Sequence, residues 1–323
     1  MTVHQLSIDR LSDDLRFGPR VPDWAHPGEP NVVLVEGNDG DAHELPGTTA
    51  AVVVCVAEDD RHPPDWCDVV ASGDAVEHII HTVHTNPMAA TSLAQMLRGS
   101  ETRTMTGGLI LESGVYSTLQ SGPEFARWRA ATPRRNRPEP DEPAVLMDRS
   151  SDVLYLRLNR PHVHNALDAR MRDDLLAALE IARAEHSLLV ELSGVGPSYS
   201  SGGDLDEFGT STDPSLAHLV RTATAIGPVL ANLRGRMKVR LHGACLGSGI
   251  EIPAFAQHVV ASADVSIGLP ELSLGLVPGA GGTWSMTQRV GRHRTAWLAL
   301  TGLRIGLEDA LDWGLVDADD VQE

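Results

Sequence analysis

Residues Leu241–Thr283 read LHGACLGSGIEIPAFAQHVVASADVSIGLPELSLGLVPGAGGT, and the rest of the chain is understood from them. An apolar strand ends at Leu241 and turns through Gly243, Gly247 and Gly249 into a short apolar helix, IEIPAFA. The chain returns as the strand HVVAS and turns again around LPE. A glycine-rich turn that opens a helix leaves backbone N–H groups free, and an oxygen that becomes anionic during a reaction is a natural occupant. Two glutamates stand twenty residues apart here, Glu251 and Glu271, each beside such a turn. Glu251 lies inside an apolar helix, where a carboxylate is costly to bury without a partner or a purpose. Its plain structural reading is a carboxylate satisfied by a helix N-terminus, and that of Glu271 is an ordinary turn residue. Facing one water together, two carboxylates can act as general base and general acid once their environments separate their pKa values.

Upstream, VLYLRLNRP alternates as a strand, HNALDARMRDDLLAALEIARAEH has helical spacing, and LLVELSG is a buried strand. Strand, helix, strand and then the turn GVGPSYSSGGDLDEF make a layered α/β unit. Asp213–Pro214 then suits the start of a helix over SLAHLVRTATAIGPVL. Residues 132–143, TPRRNRPEPDEP, are proline- and charge-rich with nothing to bury and read as a linker. They divide a core over 144–323 from an N-terminal region over 31–131, which follows an extended arm over 1–30. In that region NVVLVEG and TTAAVVVCVAEDD read as strands, Ser72 to Arg98 as two helices broken at Asn86–Pro87, GGLILES as a strand and GPEFARWRA as a short helix.

A net charge of −18 argues against nucleic acid or an anionic membrane as partner. Cys55, Cys67 and Cys245 are too few and too scattered for a disulfide framework or a metal cage, and no metal site is expected. The N-terminus has no apolar core of a leader peptide, and no apolar run approaches 18 residues, so a cytoplasmic protein is expected. Gly194-x-Gly196 follows a strand, but Tyr199 stands where a dinucleotide fingerprint needs its third glycine. His242 beside a glycine turn, and His162 and His164 in a loop, read as packed or solvated rather than catalytic.

GACLGSGIE followed by LPELSLGLVPGAGGT resembles the signature of the crotonase (enoyl-CoA hydratase/isomerase) superfamily, and the resemblance spans about residues 145–317. It implies an α/β fold, a spiral of ββα units, here with an additional N-terminal α/β region. Tyr199–Leu205, YSSGGDL, is similar to the family's F-x-A-G-[AG]-D-[LI] motif, which marks Ser201, Gly203, Asp204 and Leu205 as substrate-binding. Within that motif the backbone N–H of Gly203 is implied as a donor to the thioester oxygen. Gly247-Ser248-Gly249 matches the second donor turn, with Ser248 supplying the other N–H in place of the common glycine. The catalytic glutamates of enoyl-CoA hydratases occupy the positions of Glu251 and Glu271, and Gly279 matches a backbone site near the catalytic water.

The resemblance implies hydration of an α,β-unsaturated acyl-CoA through an oxyanion-stabilised enolate, with coenzyme A as part of the substrate and no further cofactor. Isomerisation of the double bond, or hydrolysis of the thioester, would use the same donors. A homo-oligomer is expected, or a complex with another crotonase-like chain. A non-catalytic partner subunit is the reading of another class, and the two acids argue against it. Family members usually continue for some fifty residues beyond the segment matching ALDWGLVD, with helices that cover the acyl-CoA. WCDVVASGDAVEHIIHTVHTNPMAATSLAQMLR faintly resembles that missing region, so 31–131 is expected to be a degenerate crotonase-like half whose helices take over the covering role.

Overall fold

The computed structural model describes residues 2–16, 31–37, 44–58, 62–135, 137–138, 140–233 and 235–320. The chain begins with β1 (Thr2–Leu6) and α1 (Ile8–Arg16), so residues 2–16 are not the expected extended arm. β1 pairs in parallel with β2 (Asn31–Glu36), and its residues 3–6 are exposed or half-buried, so no apolar run marks it in the sequence. The expectation for residues 17–30 lies outside the described residues.

β3 (Val52–Val56) and β4 (Val69–Ala71) complete a four-stranded sheet in the order β1-β2-β3-β4, parallel throughout. Parallel strands covered on both faces read as unbroken apolar runs, which is what NVVLVE and VVVCV are. One face packs Val33, Val35, Val53 and Cys55 against Leu11, Leu45 and Trp66. The other turns Val32, Leu34, Val52 and Val54 into the main core of the molecule, so the two regions share one interior.

α2 (Asp74–Thr85) and α3 (Pro87–Leu97) flank the Asn86–Pro87 break as expected. α4 (Met105–Gln120) replaces the strand expected at GGLILES. Thr104 caps it by accepting from the Gly107 N–H at 3.2 Å. Its buried face carries Gly108, Glu112, Ser113, Tyr116, Ser117 and Leu119 while Ile110 and Leu111 face outward, so hydrophobic periodicity misreads it. α5 (Pro123–Ala131) follows. The arginines of the linker are then docked on the segment that follows the Gly202-Gly203 turn: Arg134 donates to the Asp206 and Phe208 carbonyls, and Arg137 pairs with Asp204 and Asp206.

The second region contains β5 (Val145–Ser150), β6 (Val153–Leu158), α6 (Ala169–Ala184), β7 (Leu189–Gly194), α7 (Pro214–Ala223) and α8 (Gly227–Asn232). The last two replace one expected helix, because Pro228 at the start of α8 has no N–H to continue α7. β8 (Met237–Leu241), β9 (Ala244–Leu246), α9 (Ser248–Glu251), β10 (His258–Ala261) and β11 (Ser266–Gly268) follow. The chain then runs through α10 (Gly282–Thr301), α11 (Leu307–Asp312) and β12 (Ala318–Asp319). β8 pairs with β10 in a six-stranded sheet, and β9 with β11 in a two-stranded one, so each turn of chain lays one strand in each. That is a spiral of ββα units, and it stacks the glycine turns after β9 and β11 side by side. The six-stranded order is β12-β10-β8-β7-β6-β5, with β5–β6 its one antiparallel pair. Among the described residues no helix is long and apolar enough to cross a membrane.

Candidate active site

Glu251 ends α9, which opens directly after Gly247. Its side chain is 2% exposed, and its Oε2 accepts from the Ala280 and Gly282 N–H groups, both at 2.8 Å. These donors belong to the PGAGGT turn at the N-terminus of α10. Glu271 opens the 3-10 turn Glu271–Leu274 after β11; its Oε2 is buried with no hydrogen-bond partner among the described residues. Gly247 sits between the two acids with φ of 52°, and a Cβ there would fall on Glu271 Oε1 and lie 3.9 Å from Glu251 Oε1. Only a glycine lets both carboxylates converge at this point.

A third carboxylate, Glu112 of α4, reaches the same turn. Its Oε1 accepts from the Gly281 N–H at 2.7 Å, and its Oε2 from the Thr283 N–H at 2.9 Å and the Thr283 hydroxyl at 2.7 Å. Burial pushes Glu112 up to about 7 against its hydrogen bonds, and burial with the neighbouring Glu112 charge pushes Glu271 up to about 8. Glu251 is raised well above the carboxylate range by burial and then by Glu271 and Glu112, its two N–H donors opposing. Carboxyls this close titrate together, so the Glu251–Glu271 pair retains a proton near neutral pH. The facing cation is Arg221 of α7, stacked 4.2 Å from the Tyr116 ring centre and donating to the Ser113 and Ser117 hydroxyls of α4.

These groups line a cavity of about 380 Å³. Gly203, Ser248, Glu251, Glu271 and Gly279 share its wall with Glu112 and Tyr116, and Leu109, Leu216, Val220 and Ile252 supply apolar surface. Among the described residues, neither the Gly203 nor the Ser248 N–H donates to a backbone carbonyl. The Ser248 hydroxyl is likewise buried without a partner.

The other expected substrate contacts stand behind this wall. The Asp204 carboxylate bonds Arg160 and Arg137 at 3.1 Å each, which fixes the turn that carries Gly203. Ser201 donates its N–H to the His164 carbonyl, Leu205 packs against the core, and Gly247 makes room for Glu271. The sequence reading missed Glu112 and Tyr116. A glutamate inside the apolar LILES is the same anomaly that singles out Glu251 in IEIPAFA, and it was the one available signal. Among the described residues no group of three or more His, Cys, Asp or Glu side chains is placed to hold a metal ion.

Paired buried carboxylates and two backbone N–H groups with no carbonyl acceptor among the described residues thus share the wall of one largely apolar cavity. A family model described as Enoyl-CoA hydratase/isomerase matches residues 148–322, and the chain belongs to that family. It is similar to mevalonyl-coenzyme A hydratase of Beauveria bassiana, 34% identical over 51% of this chain and 62% of that protein. It is also similar to 2,3-dehydroadipyl-CoA hydratase of Escherichia coli, 32% identical over 53% of this chain and 67% of that one. The chain therefore spans about two thirds of the length of these relatives. The crystal structure of enoyl-CoA hydratase from Thermoplasma volcanium superposes with a TM-score of 0.52 at 30% identity, covering 55% of this chain and 72% of that one. α4, which carries Glu112 and Tyr116, precedes the matched segment.

Proposed function

We propose that the protein adds water to the double bond of an α,β-unsaturated acyl-CoA. The observation that carries this reading is the convergence of two buried acids, Glu251 and Glu271, on a cavity whose wall holds the Gly203 and Ser248 N–H groups. The thioester oxygen sits between those N–H groups, where the negative charge of the enolate forms. Loss of one such donor costs about 3 kcal/mol of the barrier. The acyl chain runs along Leu109, Leu216, Val220 and Ile252. Glu251 and Glu271 hold one water between them; one carboxylate takes its proton as the oxygen bonds to the β-carbon, and the other acid gives a proton to the α-carbon. One water is consumed and no electrons are exchanged, so this reaction calls for no metal or redox cofactor, and coenzyme A enters with the substrate. None of residues 66–98, the stretch expected to supply the cover, lines the cavity; in this reading α4 serves as the cover of the acyl group instead. The cytoplasm is the setting this reading takes for the enzyme.

The test follows the conjugated thioester absorbance of crotonyl-CoA with the parent, Glu251→Gln and Glu271→Gln. Turnover lost by at least about a hundredfold in both variants establishes the two-acid hydration. Conversion of a 3-enoyl-CoA with no hydration would replace this reading by isomerisation, and release of free thiol by hydrolysis. No binding of any CoA thioester would leave a non-catalytic partner subunit.

A further inference from the structure

Four consecutive N–H groups, Ala280 to Thr283, open α10, and they are divided in alternation between two carboxylates. Glu251 takes the first and third, and Glu112 takes the second and fourth. The conformation that aims Ala280 and Gly282 at Glu251 thus aims Gly281 and Thr283 at the opposite side, where Glu112 meets both. We propose that Glu112 is a positioning residue of this active site: it holds the 280–283 turn in the form that orients Glu251, and its charge governs the proton shared by Glu251 and Glu271. The proposal rests on the hydratase reading for its catalytic consequence, but not for the carboxyl coupling itself.

Three observations support it. Glu112 is 2% exposed and its two oxygens accept three hydrogen bonds, all from Gly281 and Thr283, so its place is built rather than incidental. It lines the same cavity as Glu251 and Glu271, and its charge raises the pKa of both. It lies outside the family-matched segment, 169 and 171 residues before its turn partners, so the site is assembled from both regions of the chain. The groups facing Glu112 are Tyr116 on its own helix, Arg221 from α7, Glu251 from α9 and Glu271 from the turn after β11. Asp168, Arg172 and Glu207 stand elsewhere on the cavity wall. Arg221 is the compensating cation among the nearer groups.

A purely structural clip would contribute stability and nothing else, so the readout must be the titration. The experiment records the pH profile of crotonyl-CoA hydration and the carboxyl carbon-13 NMR titration of the glutamates, for the parent, Glu112→Gln and Glu112→Asp. Glu112→Gln removes a like charge, so both limbs of the kcat/KM profile and the Glu251 and Glu271 midpoints move to lower pH. The kcat falls by about tenfold or more while KM stays within about threefold, because orientation and not binding is lost. Glu112→Asp keeps the charge but falls short of the turn, so kcat drops while the limbs stay near those of the parent. If Glu112→Gln lowers Tm but leaves midpoints and kcat at parental values, the proposal is overturned. If the parent shows no hydration yet its Glu251 and Glu271 midpoints fall in Glu112→Gln, the coupling stands and the hydratase reading is what fails. If the Gln variant does not fold, the parent alone decides: shared, two-step titration of Glu112 with the pair supports the proposal, and independent single steps overturn it.

Discussion

Glu251 and Glu112 face each other across the N-terminus of α10, each taking alternate N–H groups of Ala280–Thr283 at 2.7 to 2.9 Å. The positive end of a helix favours negative charge near it, yet desolvation outweighs that here and raises both carboxyls. With Glu271, three acids stand where only part of their charge can be expressed.

The pH dependence of stability follows from that placement. Glu112 and Glu271 ionise near 4.5 when unfolded but only at about 7 and about 8 in the native state. Above pH 4.5 the unfolded chain therefore holds fewer protons than the native one. The stability these groups contribute is complete below pH 4.5 and is lost as pH rises through 7 and 8, by up to about 1.4 kcal/mol per pH unit for each. Glu271→Gln is the informative variant, because its carboxylate has an unpartnered oxygen. Denaturant midpoints should place it above the parent at pH 8 and level with it at pH 5. An equal offset at both pH values would mean that Glu271 is not raised.

Ser248 tests the proposed oxyanion site without removing its donor. The N–H belongs to the backbone and survives substitution, whereas the hydroxyl is buried and unpartnered. Ser248→Ala should gain about 1 kcal/mol, the lower end of the cost of a buried unsatisfied group, and keep kcat on crotonyl-CoA within about threefold. A loss of tenfold or more would show that the hydroxyl itself contacts the reacting acyl group.

Glycine substitutions separate the acids from the donor turn. Alanine at Gly247 would place its Cβ on the Glu271 carboxylate and hold a side chain at φ of 52°. At Gly203 the Cβ would come 2.6 Å from Phe208 Cε1, a ring edge that can swing. Gly247→Ala should lower kcat by about a hundredfold, the scale of a 1 Å misplacement, while Gly203→Ala should act more on KM through the displaced ring. Initial rates across a range of crotonyl-CoA concentrations resolve the two effects.

What the sequence disclosed was local. Glu251 and Glu271 stand out beside nearby glycine turns, whereas Gly203, Ser248 and Gly279 are marked only by the family resemblance; the fold brings all five to one wall. Asp204 shows the limit of a motif: it lies in the right turn, but its carboxylate is spent on Arg160 and Arg137, the second a linker residue whose destination no spacing reveals. Glu112, for all its anomaly inside LILES, was harder to place for a different reason. Its helix buries Gly, Ser, Glu and Tyr and exposes Ile110 and Leu111, inverting the pattern on which helices are recognised.

The N-terminal sheet packs against α3, which in turn packs against α4, the helix that reaches the site, and one buried ion pair fastens it. Arg98, just after α3, donates through Nε and Nη2 to both Asp68 oxygens at 2.8 and 2.6 Å, and also to the Thr49, Ala51 and Pro46 carbonyls. Asp68 also accepts from the Val53 N–H of β3 at 2.9 Å. Both side chains are buried, at 4% and 2% exposure, so removing one partner leaves an uncompensated charge in the interior. Such a loss costs about 3–5 kcal/mol. Because Val32, Val54 and Leu93 belong to the same core as Leu156, Val239 and Leu298, the two regions should melt together. Arg98→Met should therefore lower a single unfolding transition, followed by both circular dichroism and loss of crotonyl-CoA turnover. An early melting step that spares activity would show instead that α4 holds its place over Glu251 without the sheet beneath it.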